Sequence, residues 1–292
     1  MLNDIFLKLT PHSKRLLLLF AALVVLDAVL WGGILFPGAQ NLKIHFLSVG
    51  QGDGELVVFP GGAKLLIDGG PPNGRVLEEV GTLLGPTDRT IDLVLLSHPQ
   101  LDHFGGLIEV VKRYRVGALL WNGEEGVAGG FQDLLRVLRE RQTPVYVLGR
   151  GDAIRYKESR GEIVWPPANY RGKDPNDNVL VLALKSAGSE TLFTGDLGRE
   201  AEQKFLTMFH DRIDLLKVGH HGSKFATSKE FLNVLKPKVA VIEVGKNNYG
   251  HPTQETLGRL KDIGARIFRT DHDGTVTVEV GDGKLKLFTH SR

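Results

Sequence analysis

From residue 42 onward the chain alternates two rhythms of apolar and polar positions. Short runs that are β-rich or strictly alternating predict strands, and runs with apolar residues three and four apart predict helices. LKIHFLSV (42–49), ELVVFP (55–60) and GGAKLLID (61–68) predict an antiparallel meander. RVLEEVGTLLG (75–85) has helical spacing, and IDLVLLS (91–97), an unbroken apolar run, predicts a buried strand. FGGLIEVVKRY then reads as a helix and VGALLWN as a strand. FQDLLRVLRERQ (131–142) is an amphipathic helix with Leu134, Leu135 and Leu138 on one side, followed by the strand PVYVLG. Short strands follow from GDAIRYK to IVWPP, and NVLVLALKS with SETLFTGD predicts a hairpin. The helices REAEQKFLTMF, SKEFLNVLK and TQETLGRLKDIG alternate with the strands IDLLKVG, KVAVIEVG and ARIFRTD, before GTVTVEV and KLKLFTH close the chain. Meanders at both ends with alternating strands and helices between them predict an α/β fold of two sheets covered by helices, a four-layer α/β/β/α sandwich. A single doubly wound sheet is the alternative, and the hairpins disfavour it.

The first 36 residues follow another rule. LLLLFAALVVLDAVLWGGILF, residues 16–36, is apolar except for Asp27, and a helix of that length would cross about 30 Å of hydrocarbon. Lys8, Lys14 and Arg15 precede it and no charge other than Asp27 intervenes before Lys43. The expected organisation is a cytoplasmic segment 1–15, a transmembrane anchor 16–36, a linker 37–41 and a domain 42–292 outside the cytoplasmic membrane. A cleaved signal peptide is the rival, but its apolar core would be shorter. Asp27 costs about 2.5–3.5 kcal/mol at mid-bilayer, which the surrounding leucines can offset.

Composition narrows the chemistry. The chain has 292 residues, 42% of them hydrophobic and 24% charged, which suffices for a full globular core. Its net charge of +2 is too small to select a nucleic-acid partner by itself. It contains no cysteine, so disulfides, thiolate metal sites and a cysteine nucleophile are all excluded. Any metal must be held by imidazole, carboxylate or amide, which points to zinc or a harder ion such as manganese.

Several predicted strands end in polar clusters. These are LLID with Asp68, LLSHPQLDHFGG with His98, Asp102 and His103, LFTGD with Asp196, LLKVGHHGS with His220 and His221, and the loop KNNYGHP with His251. Ligands of open α/β sheets sit outside the carboxyl ends of strands, so five such endings would meet in one crevice. Each cluster alone has a plainer reading: Asp102 would cap the following helix, Asp196 would serve a turn, and His251 would be a surface histidine. Together, in this order, they predict a metal site. His12, His45, His210, His272 and His290 lack such a context.

The motif S-H-x-x-x-D-H-x-G-G, followed by F-T-G-D and a downstream His, resembles the metallo-β-lactamase fold superfamily. FLSVGQGDGELVVFPGGAKLLIDGG (46–70), KVGHHGSKFATSKEFL (217–232) and GKNNYGHP (245–252) resemble, more narrowly, the metallo-β-lactamase-like domain of ComEC-type competence proteins, which handle DNA during uptake. The resemblance runs from about Leu42 to the C-terminus and implies a metal-dependent hydrolase, a phosphodiesterase or nuclease, with zinc or manganese. It implies His98 at one metal position, Asp102 and His103 at a second and Asp196 bridging, with His220 or His221 and His251 completing the set. Asp102 and Asp196 would serve catalysis. Asp68 would orient a ligand imidazole, Asp53 in the turn 50–53 would shape the floor, and Ser223 and Lys224 would meet a substrate phosphate or serve the neighbouring helix. Lys217, Lys224, Lys246 and Arg269 would hold the nucleic-acid backbone. A membrane anchor and a DNA-uptake channel protein are the implied partners.

The sequence departs from the pattern at two places. Gln100 stands where the family has His or Asp and offers only a weak carbonyl oxygen. The family's middle His is absent too, and Asn176, Asp177 or Asn178 in KDPNDNVLVLAL stand in that region. Two alternatives therefore stay open: a hydrolase of small esters, lactones or phosphorylcholine, and a catalytically weakened module that binds DNA or one metal ion.

Overall fold

The computed structural model describes residues 10–35, 41–126, 129–172 and 174–290. The chain divides into two compact units, residues 1–40 and 41–292.

In the first unit a single helix, α1 (Pro11–Leu35), covers the apolar run. Among the described residues, no helix is long and apolar enough to cross a membrane. The expected span over 16–36 is therefore not supported. The described side chains of α1 set Lys14, Arg15 and Asp27 within residues 11–28, and Phe36 falls outside the described residues. Most of the expected cytoplasmic segment, residues 1–9, and the linker up to residue 40 also lie outside them.

In the second unit the described strands form two sheets of eight and seven strands. The first runs in the order β15 (Lys284–His290), β14 (Thr275–Gly281), β1 (Leu42–Phe46), β2 (Glu55–Val58), β3 (Lys64–Ile67), β4 (Thr90–Leu95), β5 (Arg115–Trp121) and β6 (Val145–Val147). The second runs β13 (Arg266–Arg269), β12 (Val239–Ile242), β11 (Leu215–Lys217), β10 (Ser189–Phe193), β9 (Val181–Ser186), β8 (Ser159–Trp165) and β7 (Ala153–Tyr156). The meander β1–β2–β3 is antiparallel, whereas β3 to β6 and β10 to β13 are parallel and joined through helices. The expected strand 42–49 stops at Phe46, because residues 47–54 fold back as a loop over the strand ends.

Three apolar layers account for the sandwich. Ile44, Phe46, Val57 and Ile67 of the first sheet meet Leu182, Phe193, Leu215 and Val241 of the second in one cluster between the sheets. Outside the first sheet lie α2 (Arg75–Leu84), α3 (Leu101–Phe104), α4 (Leu107–Arg113) and α5 (Phe131–Glu140), through Val76, Val80, Leu107, Val110 and Leu134. The buried stripe of α5 is Phe131, Leu134, Val137 and Leu138, with Leu135 only partly covered. Outside the second sheet lie α6 (Arg199–Phe205), α7 (Lys229–Leu235) and α8 (Gln254–Asp262), through Phe205, Phe231, Leu232 and Leu260. The four-layer α/β/β/α arrangement is thus formed. It matters here because β3, β4, β10, β11 and β12 all end toward one rim.

Candidate metal centre

Three of the functional side chains leave strand ends through a tight backbone feature. Asp68 follows β3 with a φ of 53°, and His220 and His221 follow β11 at φ values of 48° and 53°. Left-handed backbone at a non-glycine residue costs on the order of 1–3 kcal/mol and persists only where the surroundings enforce it. Two such histidines in succession turn the GHHG segment sharply enough to bring both rings within 3.8 Å of one oxygen, Oδ2 of Asp196. Gly52, with a φ of 148°, lets the 50–53 turn pass against α3, since a Cβ there would run into the Asp102 carbonyl.

Asp102, His103, Asp196 and His221 offer ligand atoms that all lie within 4.8 Å of one another. His103 Nε2 is 3.4 Å from Asp196 Oδ2, and His221 Nε2 is 3.4 Å from Asp102 Oδ2. The opposite nitrogens are tied down. His103 Nδ1 lies 2.7 Å from Asp68 Oδ2, and His221 Nδ1 donates to the Glu243 carbonyl at 2.9 Å. Asp68 is itself held by Ser97, whose backbone N–H and hydroxyl donate to its two oxygens at 2.8 and 2.6 Å. Having spent its only proton on Asp68, the Ser97 hydroxyl must accept from His98 Nδ1 at 2.9 Å. In each of the three imidazoles Nδ1 is thus engaged and Nε2 is the nitrogen left for a ligand role, the orientation a metal centre needs. Those three Nε2 atoms and Asp196 Oδ1 are buried without a hydrogen-bond partner. Buried polar atoms without partners are costly, and Asp102, His103, Asp196 and His221 gather theirs around one point, so the residues present fit a divalent ion.

The electrostatics of the group agree with that geometry. Burial alone would lower both histidines, but Asp196 and the neighbouring carboxylates raise His103 well above the usual imidazole range and bring His221 to about 10. Burial opposes charge on Asp196, yet His221 and His103 hold it well below the usual carboxylate value. Burial, reinforced by His103, lowers His98 to about 3, so its ring stays neutral. Without an ion, protons on His103 and His221 stand in for the missing positive charge.

Around this group the expectations divide. Asp53 is buried on the floor but serves an ion pair with Lys217, whose ammonium also donates to the Gly195 carbonyl at 2.8 Å. Lys217 is fully buried, so it cannot hold a substrate backbone as its place in the sequence suggested. Arg269 is engaged by both oxygens of Asp271, leaving Lys224 and Lys246 exposed. His251 is partly exposed, its ring centroid 5.8 Å from that of His220, outside the four-residue group. Asp102 lies inside the first turn of α3 and caps nothing, and the Ser223 hydroxyl accepts from Phe225 N–H within its own loop. The cap of α7 is Ser228.

Gln100 donates its amide N–H to Asn176 Oδ1. Asn178, the other candidate in that region, turns away and accepts from Gly172 N–H at 3.0 Å. An uncharged amide pair thus joins the position where the family has His or Asp to the region where its middle His is absent. Sequence reasoning missed Ser97, Glu55 and Glu243. The two glutamates are buried, Glu55 at the start of β2 and Glu243 just past the end of β12, and burial raises both, Glu243 to about 8.

Comparison with known proteins fits this site. The chain is 28% identical to ComE operon protein 3 of Bacillus subtilis (strain 168) over 94% of its own length and 40% of that protein's. It is 27% identical to competence protein ComA of Neisseria gonorrhoeae over 88% of its length and 36% of the relative's. The chain thus spans less than half the length of these relatives. Among solved structures, the metallo-β-lactamase fold protein YhfI from Bacillus subtilis superposes with a TM-score of 0.55 at 10% identity, covering 85% of this chain and all of that one. The profile described as "Metallo-beta-lactamase superfamily" matches residues 55–245, more than half of the sequence, and the chain belongs to that superfamily.

Proposed function

We propose that this protein is a metal-dependent phosphodiesterase acting on nucleic acid, in a role connected with DNA uptake. The observation that carries the reading is the convergence of Asp102, His103, Asp196 and His221 with their Nε2 atoms unpartnered at the rim of the sandwich. These four side chains would hold the ion, zinc or manganese. When bound, it would supply Lewis-acid polarisation of a phosphoryl oxygen and a more acidic water. Asp68 and the Glu243 carbonyl keep the two ligand imidazoles in the required tautomer, and Ser97 does the same for His98. Lys217 neutralises Asp53, so that the remaining negative charge faces the open side. Exposed Lys224 and Lys246 supply positive charge for a phosphate backbone, which would make affinity fall with added salt.

The competence-protein relatives support the nucleic-acid link, and an extracytoplasmic location is proposed with it; protease access to the domain in intact cells tests that location. A second reading, a module that binds one ion and DNA without turnover, is favoured by the Gln100–Asn176 pair. One experiment separates the two. The purified protein is assayed for metal per chain and incubated with linear DNA and Mn²⁺ or Zn²⁺, beside Asp196→Ala. Cleavage that is lost in the variant supports the hydrolase, and cleavage that persists in it rejects the metal mechanism. Tight DNA binding without turnover selects the second reading.

A further inference from the structure

Three cavities adjoin over the ligand group. One of about 420 Å³ contains Asp102, Asp196 and His221 and shares Tyr249 and His251 with a second of about 290 Å³, which Lys224 and Phe225 line. A third, of about 590 Å³, shares His220 with the first and Phe225 with the second. The three make one open groove, with Tyr249 and Phe225 on it beside the ligands.

These two rings are 75% and 66% exposed, the highest values for large apolar side chains among the described residues of the second unit. Their exposure is not slack in the chain. Asn247 pins the Tyr249 loop, accepting from the N–H groups of Tyr249 and His251 and donating to the carbonyls of Gly245 and His251. Arg259 pins the Phe225 loop through the carbonyls of Lys224, Ala226 and Thr227. Lys224 places its ammonium 5.1 Å from the Phe225 ring centre. Fixed, solvent-facing aromatic rings beside a cation match the chemistry of unpaired bases on a phosphate backbone, which stack on such rings without regard to sequence.

We infer that Tyr249 and Phe225 form a base-stacking subsite for single-stranded nucleic acid, whose backbone crosses the ligand group and is met by Lys224. This rests on the phosphodiesterase reading and specifies its substrate as an unpaired strand. Paired bases already cover one another and leave no face for the two rings.

Binding of a fluorescein-labelled thymidine dodecamer, an abasic dodecamer with the same backbone, and the paired duplex would be followed by anisotropy. Cleavage of each would be followed with Mn²⁺. The wild type should prefer the thymidine strand. Tyr249→Ala and Phe225→Ala should each weaken that strand about tenfold, raising KM with kcat unchanged and leaving the abasic strand unaffected, while Tyr249→Phe should retain binding. Equal binding of the thymidine and abasic strands by the wild type, or wild-type affinity in the double alanine variant, overturns the subsite. So does a duplex that depends on the two rings as strongly as the single strand. Metal-dependent cleavage with equal KM for both single strands leaves the hydrolase standing and removes the subsite. A base preference that the double variant loses, in a protein that cleaves nothing, keeps the subsite and removes the hydrolase.

Discussion

His103 Nδ1 lies 2.7 Å from Asp68 Oδ2, and this contact decides which ring nitrogen faces the centre. An ionised carboxylate only accepts, so Nδ1 must carry a proton and Nε2 is the nitrogen left to meet a cation. Asp68→Asn keeps the shape but offers an N–H to the ring, which favours the other tautomer. Metal affinity should fall by about 10- to 100-fold, the usual cost of losing such a partner. Calorimetric titration with Zn²⁺ measures it, and circular dichroism should show an unchanged fold. An unchanged affinity would mean that Asp68 does not set the ring.

Loading the centre should release protons. His103 and His221 are both raised, His221 to about 10, so at pH 7 each holds a second proton in the ion-free protein. A cation must displace both, and raising the pH removes the competitor. Apparent affinity for Mn²⁺ should therefore increase with pH, and about two protons should be released per ion near neutrality. Calorimetry in buffers of different ionisation enthalpy counts them; proton uptake, or no release, would contradict the charge state derived for these rings.

The sandwich was legible in the sequence because its layers are written as periodicities. Val76 and Val80 show the helical period, and the Leu42–Phe46 strand with its neighbours shows the meander. The ligand clusters were legible because strand ends collect polar residues. What could not be read is the backbone geometry that aims them. Nothing in GHHG announces two left-handed histidines, and nothing in LKVG shows that Lys217 is buried beneath the site, because its nearest carboxylate, Asp53, is 164 residues away in sequence. Glu55 and Glu243 were invisible for the same reason, Glu55 starting β2 and Glu243 following β12 of the other sheet. The apolar run 16–36 shows the opposite error. Hydropathy of the sequence suggested a membrane span, but among the described residues no helix is long and apolar enough to cross a membrane.

Lys217 and Asp53 form a buried ion pair, so removing one partner strands the other. Lys217→Met leaves the Asp53 carboxylate in the interior without its ammonium, and such losses cost about 3–5 kcal/mol. Urea denaturation should show a destabilisation of that order. Adding Asp53→Asn to Lys217→Met should recover part of it, because the uncompensated charge is gone. If the single variant is as stable as the parent, the pair contributes nothing and the floor of the site is held in another way.

Gln100 and Asn176 should limit the number of ions the centre accepts. Their amide contact brings no charge to the side of Asp196 that His98 and His220 approach, so the wild-type protein should bind one Mn²⁺ per chain tightly. Gln100→His replaces the amide with an imidazole beside His98, whose Nε2 is buried and unpartnered. The variant should bind a second ion, with stoichiometry rising toward two by elemental analysis and the Mn²⁺ electron paramagnetic resonance spectrum showing coupling between the ions. Nuclease activity should rise with it, because two ions can stabilise the attacking and the leaving oxygen separately. Two tightly held ions in the wild type would show that the amide pair does not exclude the second. A variant that still binds one would place the obstacle elsewhere, in the missing middle histidine.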